Sequence, residues 1–399
     1  MKKILLMVLI LVAAACGKKE STDVPLDYNW TKVEKNSEGT QVNMYMYGGA
    51  QEVNRYMDEV VAPVLKRSNN INLNRIPLTD IKDTVNKLIV EKQAGLSRGS
   101  VDIVWINGEK FKELKDNGVL WGDFTKKLPS MELINPRTRD KDFGERIEGL
   151  EAPWGESQFN FIYRGKGEKP FTDHVTLMEY VEANPGRFTY PAIPDHTGSA
   201  FVRNMAMDIL GAENVVNMTP EGLEENLKVV WQYFEDIKPY LWRRGETYPE
   251  GEGKLDTLYR NGEVDVAMGY TISKVSSKIL SGGYPKGSKS FLLDNGTLFN
   301  NHYLTIPYNS SNKWGALYVI NYLLSVEGQL TKQDPGNWGD FTVVDLSKLD
   351  DEIKRKFEDL SNQDEIPSFN ELSAKRIGEV TPKKLGIIDK GWLEYIGKN

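Results

Sequence analysis

The stretch "INLNRIPLTDIKDTVNKLIVEKQAGLSRGSVDIVWI", residues 71–106, decides the fold. Its two ends, residues 71–78 and 101–106, are short segments rich in apolar residues, which favours strands. Between them, apolar residues recur at helical spacing at Ile81, Val85, Leu88 and Ile89. Thr79 or Asp80 is placed to cap this helix, and Gly95 to end it. A strand–helix–strand order implies a parallel sheet with a crossover helix.

The same alternation continues on both sides of this stretch. Val42–Met46 reads as an earlier strand that is followed at once by Gly48 and Gly49. Three later segments also read as strands: 157–165, 264–270 and 299–307. Helices are predicted to begin after Thr219 and after Ser311 or Asn312, which are suitable N-caps. The sequence therefore predicts an α/β protein.

The length of 399 residues is enough for two lobes with separate cores. The body of the chain has no Gly/Ser-rich or Pro-rich linker, so the chain is expected to cross between the lobes on ordered strands. Residues 157–163 and 298–306 are the predicted crossings.

The N-terminus has the pattern of an export signal. Lys2 and Lys3 precede an apolar run over residues 4–15, which is too short to span a bilayer. Small residues then lead to Cys16, the single cysteine of the chain. We expect residues 1–15 to be a signal peptide, Cys16 to carry a lipid, and the polar residues 16–38 to form a tether. A signal peptide followed by an incidental cysteine is the alternative.

Composition and motifs exclude several classes of function. The formal net charge of −7 is unsuited to nucleic-acid binding. The chain has no HExxH, GxSxG or phosphate-loop motif, and its histidines are His174, His196 and His302. We therefore expect no catalytic activity, no metal site and no cofactor. A pair of carboxylates acting on a glycan remains open, because 57 acidic residues leave many pairs.

Small and polar residues follow several predicted strands or open a helix. Four such places are Tyr47-Gly48-Gly49, Asn107-Gly108-Glu109, Thr197-Gly198-Ser199 and Gly269-Tyr270-Thr271. Ligands bind beyond the carboxyl ends of strands in open α/β sheets, and a helix N-terminus attracts anions. Thr197, Gly198 and Ser199 are thus a candidate anion cradle, and the aromatic residues Tyr47, Trp105, Trp154, Trp242 and Tyr270 are candidate cleft walls. Plain capping, tight turns and core packing are the structural alternatives.

The chain also resembles a known family. Segments such as "GSVDIVWINGEKFKELK" (99–115), "NPGRFTYPAIPDHTGSAFVR" (184–203) and "NNHYLTIP" (300–307) resemble the YnjB-type family of ABC importer solute-binding lipoproteins, near the thiamine-, iron- and polyamine-binding groups. The resemblance covers about residues 42 to 396. It implies a two-lobe, type II periplasmic binding protein fold with a ligand cleft between the lobes.

The resemblance implies a domain organisation. Lobe 1 is expected to hold residues 39–156 and 305–345, and lobe 2 residues 157–304. The C-terminal helices, residues 346–399, are expected to pack across both. Its implied partners are a small solute, an ABC permease with a cytoplasmic ATPase, and a membrane through Cys16, with the protein itself a monomer.

The resemblance also implies a solute and a site. It favours a small phosphate-bearing solute of the thiamine type, with Tyr47, Trp154 and Tyr270 as the residues that stack on its rings. A ferric complex, a polyamine or another anionic metabolite are alternatives. A secreted hydrolase and a surface adhesin are alternatives of other classes. The expected ligand-binding residues are Tyr47, Gly48, Gly49, Asn107, Gly108, Glu109, Trp154, Thr197, Gly198, Ser199, Tyr270 and Asn301. Whether Arg203 and Trp242 reach the cleft is left open.

Overall fold

The computed structural model describes residues 24, 28–78, 81–106 and 108–397. The signal peptide, Cys16, Asn107 and the proposed caps Thr79 and Asp80 lie outside the described residues. The strands are β1 (Gln41–Tyr47), β2 (Asn72–Leu78), β3 (Ile103–Ile106), β4 (Lys141–Asp142), β5 (Glu145–Arg146), β6 (Glu151–Gln158), β7 (Asn160–Tyr163), β8 (Val266–Gly269), β9 (Lys289–Phe291), β10 (Thr297–Thr305) and β11 (Arg376–Gly378).

Helices connect and cover these strands. They are α1 (Trp30–Ser37), α2 (Gln51–Arg55), a π-helical segment (Tyr56–Val61), α3 (Ala62–Asn69), α4 (Lys82–Gln93), α5 (Gly108–Asp116), α6 (His174–Ala183), α7 (His196–Leu210), α8 (Ala212–Asn217), α9 (Pro220–Ile237), α10 (Glu252–Asn261), α11 (Lys274–Leu280), α12 (Lys313–Leu323), α13 (Val326–Gln333), α14 (Asp351–Ser361), α15 (Phe369–Ala374) and α16 (Pro382–Tyr395).

The stretch 71–106 forms the predicted unit of strand, helix and strand. β2 and β3 both run parallel to β1, and α4 connects them. The sheet order is β11-β10-β3-β1-β2, with β6 also paired to β10. Because β1, β2 and β3 are parallel, their carboxyl ends meet at one edge of the sheet. β10 is antiparallel to β3 and extends past this edge.

A second sheet has the order β8-β7-β9 with antiparallel pairs. We call the part built on the six-stranded sheet lobe 1 and the part built on the three-stranded sheet lobe 2. Within β6–β7 the core contacts change: Ala152 and Trp154 lie in the core of lobe 1, and Phe159 in that of lobe 2. β10 makes the same change between Leu298 and Leu304. The β6–β7 segment and β10 therefore carry the chain between the lobes.

The helix after β1 changes its geometry before a proline. The Ala62 N–H bonds to the Met57 carbonyl five residues back, which is the π-helical pattern. Pro63 has no N–H to donate, and its ring would clash with the carbonyl four residues earlier in a regular α-helix. The wider turn accommodates the proline without breaking the helix.

The prediction that residues 16–38 form a tether is wrong for the part that the structure describes. Residues 30–37 form α1, and Val24 and Tyr28 are buried in the core of lobe 1. The Tyr28 hydroxyl donates to the Phe124 carbonyl, and the Trp30 ring stacks on Tyr318 of α12. Aromatic side chains spaced two residues apart therefore attach this polar segment to the body.

The C-terminal segment contacts both lobes. Leu372, Ile388 and Trp392 lie in the core of lobe 2. β11 pairs with β10, and the Gln333 side-chain amide of α13 donates to the Phe357 carbonyl of α14. Among the described residues, no helix combines the length and the apolar character needed to cross a bilayer.

Candidate ligand-binding site

The start of α7 is capped by a carboxylate. Asp195 Oδ1 accepts the backbone N–H groups of Thr197 at 2.9 Å and Gly198 at 3.0 Å. These are donors that a helix N-terminus leaves unpaired and that an anion would use. Burial, together with the nearby charge of Glu252, raises the pKa of Asp195 to about 6. The capping carboxylate therefore already occupies the predicted anion position.

The two hydroxyls of the predicted cradle also donate to carboxylates. The Thr197 hydroxyl donates to Glu252, and the Ser199 hydroxyl donates to Asp389 of α16. Both side chains are buried, with 3% and 4% of their surface exposed. The donors expected to meet a phosphate thus have acceptors within the protein.

Gly198 is required by packing against the backbone. A Cβ on Gly198 would lie 2.2 Å from the Pro191 carbonyl oxygen. The small residue lets α7 approach the segment before it, which is the structural alternative to close ligand approach.

Arg203 is fully buried and paired one turn further along α7. Its Nε lies 3.1 Å from Glu379 Oε2, and both side chains are at most 2% exposed. The Tyr270 hydroxyl donates to Glu379 at 2.7 Å, and the Asn300 amide lies within 3.3 Å of the same oxygen. Arg203 thus holds the C-terminal segment against lobe 2 and presents no free charge to a solute.

His196 faces the space between the lobes. Its ring stacks on Tyr270 with centroids 4.8 Å apart and stays exposed. Desolvation by the surrounding protein and the charge of Arg203 lower the pKa of His196 to about 4, and His302 of lobe 1 adds to this effect. A side chain that lines a concave surface is expected to touch water on one side while the surrounding protein excludes water from its other sides.

Tyr47 faces the same space from lobe 1. Tyr47 is the last residue of β1, at the carboxyl edge of the sheet, and it is 46% exposed. Burial and the charges of Glu252 and Asp195 in lobe 2 raise its pKa. A Cβ on Gly49 would lie 2.2 Å from the Tyr47 hydroxyl, so the ring folds back over this glycine.

Ion pairs surround this position. Lys274 Nζ lies 2.6 Å from Glu252 and 2.7 Å from Asp256, and the three belong to lobe 2. Lys278 Nζ lies 3.2 Å from Glu52 of α2, so this pair joins the two lobes. Glu252, Asp256 and Glu52 outnumber the two lysines in these pairs, so this part of the cleft carries a net negative charge.

Trp154 does not form a wall of the cleft. Its side chain is fully buried in the core of lobe 1 and packs edge-on against Trp105 at 5.2 Å. The prediction that it stacks on a solute is therefore wrong for this structure, because no surface is free. Trp242 packs partly buried against the core of lobe 2, and Arg243 lies over its ring.

The remaining predicted residues lie at the edge of the lobe 1 sheet. The Gly48 N–H donates to the Leu78 carbonyl, and a Cβ on Gly48 would lie 2.5 Å from Pro77, so a tight turn explains this glycine. The Gly108 N–H donates to the Asp142 carboxylate. The Asn301 amide donates to the Tyr303 hydroxyl at 3.3 Å. The side chain of Glu109 lies outside what the structure describes.

Metal sites and large cavities do not locate the site. Within the described ranges, no group of three or more His, Cys, Asp or Glu side chains is arranged to hold a metal ion. Cavities of about 300 and 810 Å³ lie near β9 and along residues 125–149, and none of the predicted ligand-binding residues lines either. The facing side chains of the two lobes locate it instead.

The sequence missed the carboxylates that define this site. Asp195 directly precedes the helix start, and an aspartate there is a common N-cap, so its position was readable. Glu252, Glu379 and Asp389 are 55, 176 and 190 residues from their partners in α7. No local pattern relates residues so far apart.

The chain matches the family model described as bacterial extracellular solute-binding protein over residues 59–358. It is 33% identical over 374 residues to the protein YnjB of Escherichia coli (strain K12), covering 92% of this chain and 94% of YnjB.

Solved structures give the same fold at low identity. The spermidine/putrescine ABC transporter substrate-binding protein PotD of Streptococcus pneumoniae has a TM-score of 0.64 at 14% identity, over 89% of this chain and 98% of that one. The fructose-6-phosphate-bound periplasmic binding protein AfuA of Actinobacillus pleuropneumoniae has a TM-score of 0.61 at 12% identity, over 90% and 99%. These neighbours have the two-lobe, type II periplasmic binding protein fold. The chain therefore belongs to the bacterial extracellular solute-binding protein family, as the solute-binding component of an ABC transporter.

Proposed function

We propose that this protein binds a small organic cation of the thiamine type, thiamine or a thiamine phosphate, between its two lobes. The carboxylates beside the start of α7 carry the proposal: the charges of Glu252 and Asp195 of lobe 2 act on Tyr47 of lobe 1 and raise its pKa. A cationic ring over an aromatic face gains about 0.5–2 kcal/mol. Nearby carboxylates add to this attraction, since they offset the charge of the bound solute.

A phosphate group is not the feature that selects the solute in this proposal. The Thr197 and Gly198 N–H groups and the Thr197 and Ser199 hydroxyls donate to carboxylates, and the Ser199 N–H donates to the Asp195 carbonyl. A phosphate would have to displace Asp195 to reach the two N–H groups that its carboxylate accepts. Two like charges placed this close would repel each other. The cationic part of the solute is the part that this site favours.

A polyamine is the second candidate. The same carboxylates favour an ammonium group, and PotD and the Listeria monocytogenes neighbour are described as spermidine/putrescine proteins. A polyamine lacks a ring, so it would make less use of Tyr47, His196 and Tyr270. An anionic metabolite is the alternative that stabilisation by fructose 6-phosphate would support in the experiment described below. A ferric complex is disfavoured by the same carboxylate hydrogen bonds only in so far as it is anionic.

We further propose the remaining features of the protein. Cys16 carries a lipid that holds the body outside the membrane, and the protein is a monomer without catalytic activity. Residues 39–156 and 305–345 form lobe 1, and residues 157–304 form lobe 2. The solute passes to a permease driven by a cytoplasmic ATPase.

Asp195→Asn tests the proposed solute class. Asparagine keeps an oxygen that accepts the Thr197 and Gly198 N–H groups, but it removes the negative charge. The melting temperature is measured with thiamine, thiamine monophosphate, spermidine and fructose 6-phosphate. At a free ligand concentration of 100 times Kd, binding stabilises the folded protein by about 2.7 kcal/mol, and this raises the melting temperature. We expect the variant to respond less to thiamine, whereas Asp116→Asn, at an exposed position of α5, should respond as the wild type.

The double variant Thr197→Ala with Ser199→Ala supplies the contrary outcome. A far larger loss for thiamine monophosphate than for thiamine would establish the anion cradle and contradict the proposal. Because the pKa of Asp195 is about 6, thiamine binding should also weaken as the pH falls through 6, and this pH dependence should disappear in Asp195→Asn.

A further inference from the structure

His302 lies on β10 of lobe 1, beside the carboxyl end of β3. His302 is 9% exposed, and it lies in β10 between Leu298 in the core of lobe 2 and Leu304 in the core of lobe 1, where this strand passes from one lobe to the other. Trp105 contacts the ring edge-on at 5.1 Å, and Trp338 stacks on it at 5.8 Å with planes 17° apart. The ring plane is therefore fixed by aromatic packing.

A buried chain of polar contacts fixes the orientation of the ring within that plane. His302 Nε2 lies 3.0 Å from Asp340 Oδ1, and Asp340 Oδ2 lies 2.6 Å from Lys332 Nζ. Asp340 and Lys332 are fully buried. Gly155 leaves room for this chain, because a Cβ there would lie 2.1 Å from Asp340 and 2.5 Å from His302.

The hydrogen-bond partner decides which nitrogen of a neutral ring carries the proton. Lys332 Nζ bonds to Asp340 Oδ2, which leaves Asp340 Oδ1 as the oxygen that faces His302 Nε2. Asp340 can only accept, so the neutral ring donates its Nε2–H to it. In the neutral ring Nδ1 is then an acceptor, and the hydrogen bond of His302 to the described residues is made at Nε2 and not at Nδ1.

We propose that His302 is a specificity-determining residue of the solute site, where Nδ1 accepts a hydrogen bond from an N–H donor of the solute. Asp340 and Lys332 act as positioning residues that set the tautomer. This inference rests on the proposed function and narrows it, since it requires a solute with an amino or ammonium donor. A phosphate or carboxylate oxygen offers only an acceptor and is rejected at this position.

Three variants of the full chain test the role in binding, with thiamine as the probe and calorimetry as the measurement. His302→Gln keeps an amide that donates to Asp340 but has no acceptor at Nδ1, and it should bind about tenfold more weakly. His302→Asn places a carbonyl near the Nδ1 position and should recover part of the affinity. His174→Gln is the matched control, because His174 also pairs with an aspartate, Asp208, but lies at the start of α6 with its ring against Tyr233 of α9. Equal affinities of His302→Gln and His174→Gln would overturn the proposal.

Nitrogen NMR of the wild type tests the tautomer without any ligand. Long-range ¹H–¹⁵N spectra of the three imidazoles should show His302 protonated at Nε2 only at pH 7. A proton on Nδ1, or on both nitrogens, would overturn the proposal even if thiamine binds. If thiamine does not bind the wild type, the proposed solute is wrong, and the NMR result alone decides whether Nδ1 is free to accept.

Discussion

Asp142 shows how burial changes the pKa of a carboxyl group. Its side chain is 2% exposed and accepts the N–H of Gly108 at the start of α5. Desolvation raises its pKa to about 8, and the charge of Glu379 acts in the same direction. The folded protein therefore holds Asp142 protonated at a pH where the unfolded chain has released the proton.

This shift predicts a loss of stability at high pH. An aspartate whose folded pKa is raised contributes stability that is complete below about pH 4 and is lost as the pH rises through 8. Asp142→Asn cannot ionise and still offers an oxygen to Gly108. Urea unfolding at pH 5 and 9 should show the wild type losing stability relative to Asp142→Asn, by at most on the order of 5 kcal/mol. The exposed Asp116→Asn is the control, and equal pH profiles of wild type and Asp142→Asn would refute the shift.

At the residue scale, the sequence indicated which residues end strands or begin helices, but it did not indicate their hydrogen-bond partners. Tyr47, Tyr270 and the start of α7 were identified from local patterns of strand ends and helix starts. What they bond to was not readable, because Glu252, Glu379 and Asp389 are brought there by tertiary packing. These carboxylates change the interpretation of the site. The donors at the start of α7 were expected to bind an anion, and in the structure they donate to carboxylates of the protein.

Glycines within helices give a test at the scale of elements. Gly198 in α7 and Gly386 in α16 both occupy helical positions where alanine is intrinsically better by about 1 kcal/mol. A Cβ on Gly386 meets nothing within 4 Å, whereas one on Gly198 meets the Pro191 carbonyl at 2.2 Å. Gly386→Ala should raise the free energy of unfolding by about 0.5–1 kcal/mol, and Gly198→Ala should lower it by about 1–3 kcal/mol. Urea titration measures both, and a stabilising Gly198→Ala would contradict the tight contact.

The order of helices and strands followed from the sequence because hydrophobic periodicity is local. β1, β2, β3, β8 and β10 lie where strands were predicted, and Thr219 and Asn312 cap α9 and α12. α1 was missed, because its eight residues are mostly polar and only Val33 and Ser37 are buried. Its stability comes from packing on α12, which no local pattern records.

The pair of Glu52 and Lys278 acts at the scale of the whole molecule. It joins α2 of lobe 1 to α11 of lobe 2, and both side chains are largely buried. A partly exposed pair contributes about 1 kcal/mol, which changes the ratio of two lobe arrangements about fivefold. The pair therefore favours the arrangement described here over a more open one.

Glu52→Gln should shift the protein toward the open arrangement. Small-angle X-ray scattering without solute should give a larger radius of gyration than the wild type, while the free energy of unfolding falls by no more than about 1 kcal/mol. Asp116→Asn breaks the exposed pair of Lys112 and Asp116 within one helix and should leave the radius unchanged. An unchanged radius in Glu52→Gln would mean that the pair does not hold the lobes.

The pairing of Arg203 with Glu379 also has a consequence for how the protein is made. Ribosomes deliver α7 long before residue 379, so the guanidinium has no counter-ion while most of the chain already exists. Desolvating it at that stage would be unfavourable, and the wall that carries Tyr270 cannot settle until the C-terminal segment arrives. We therefore expect the capacity to bind to appear only once Glu379 has packed against Arg203 of α7.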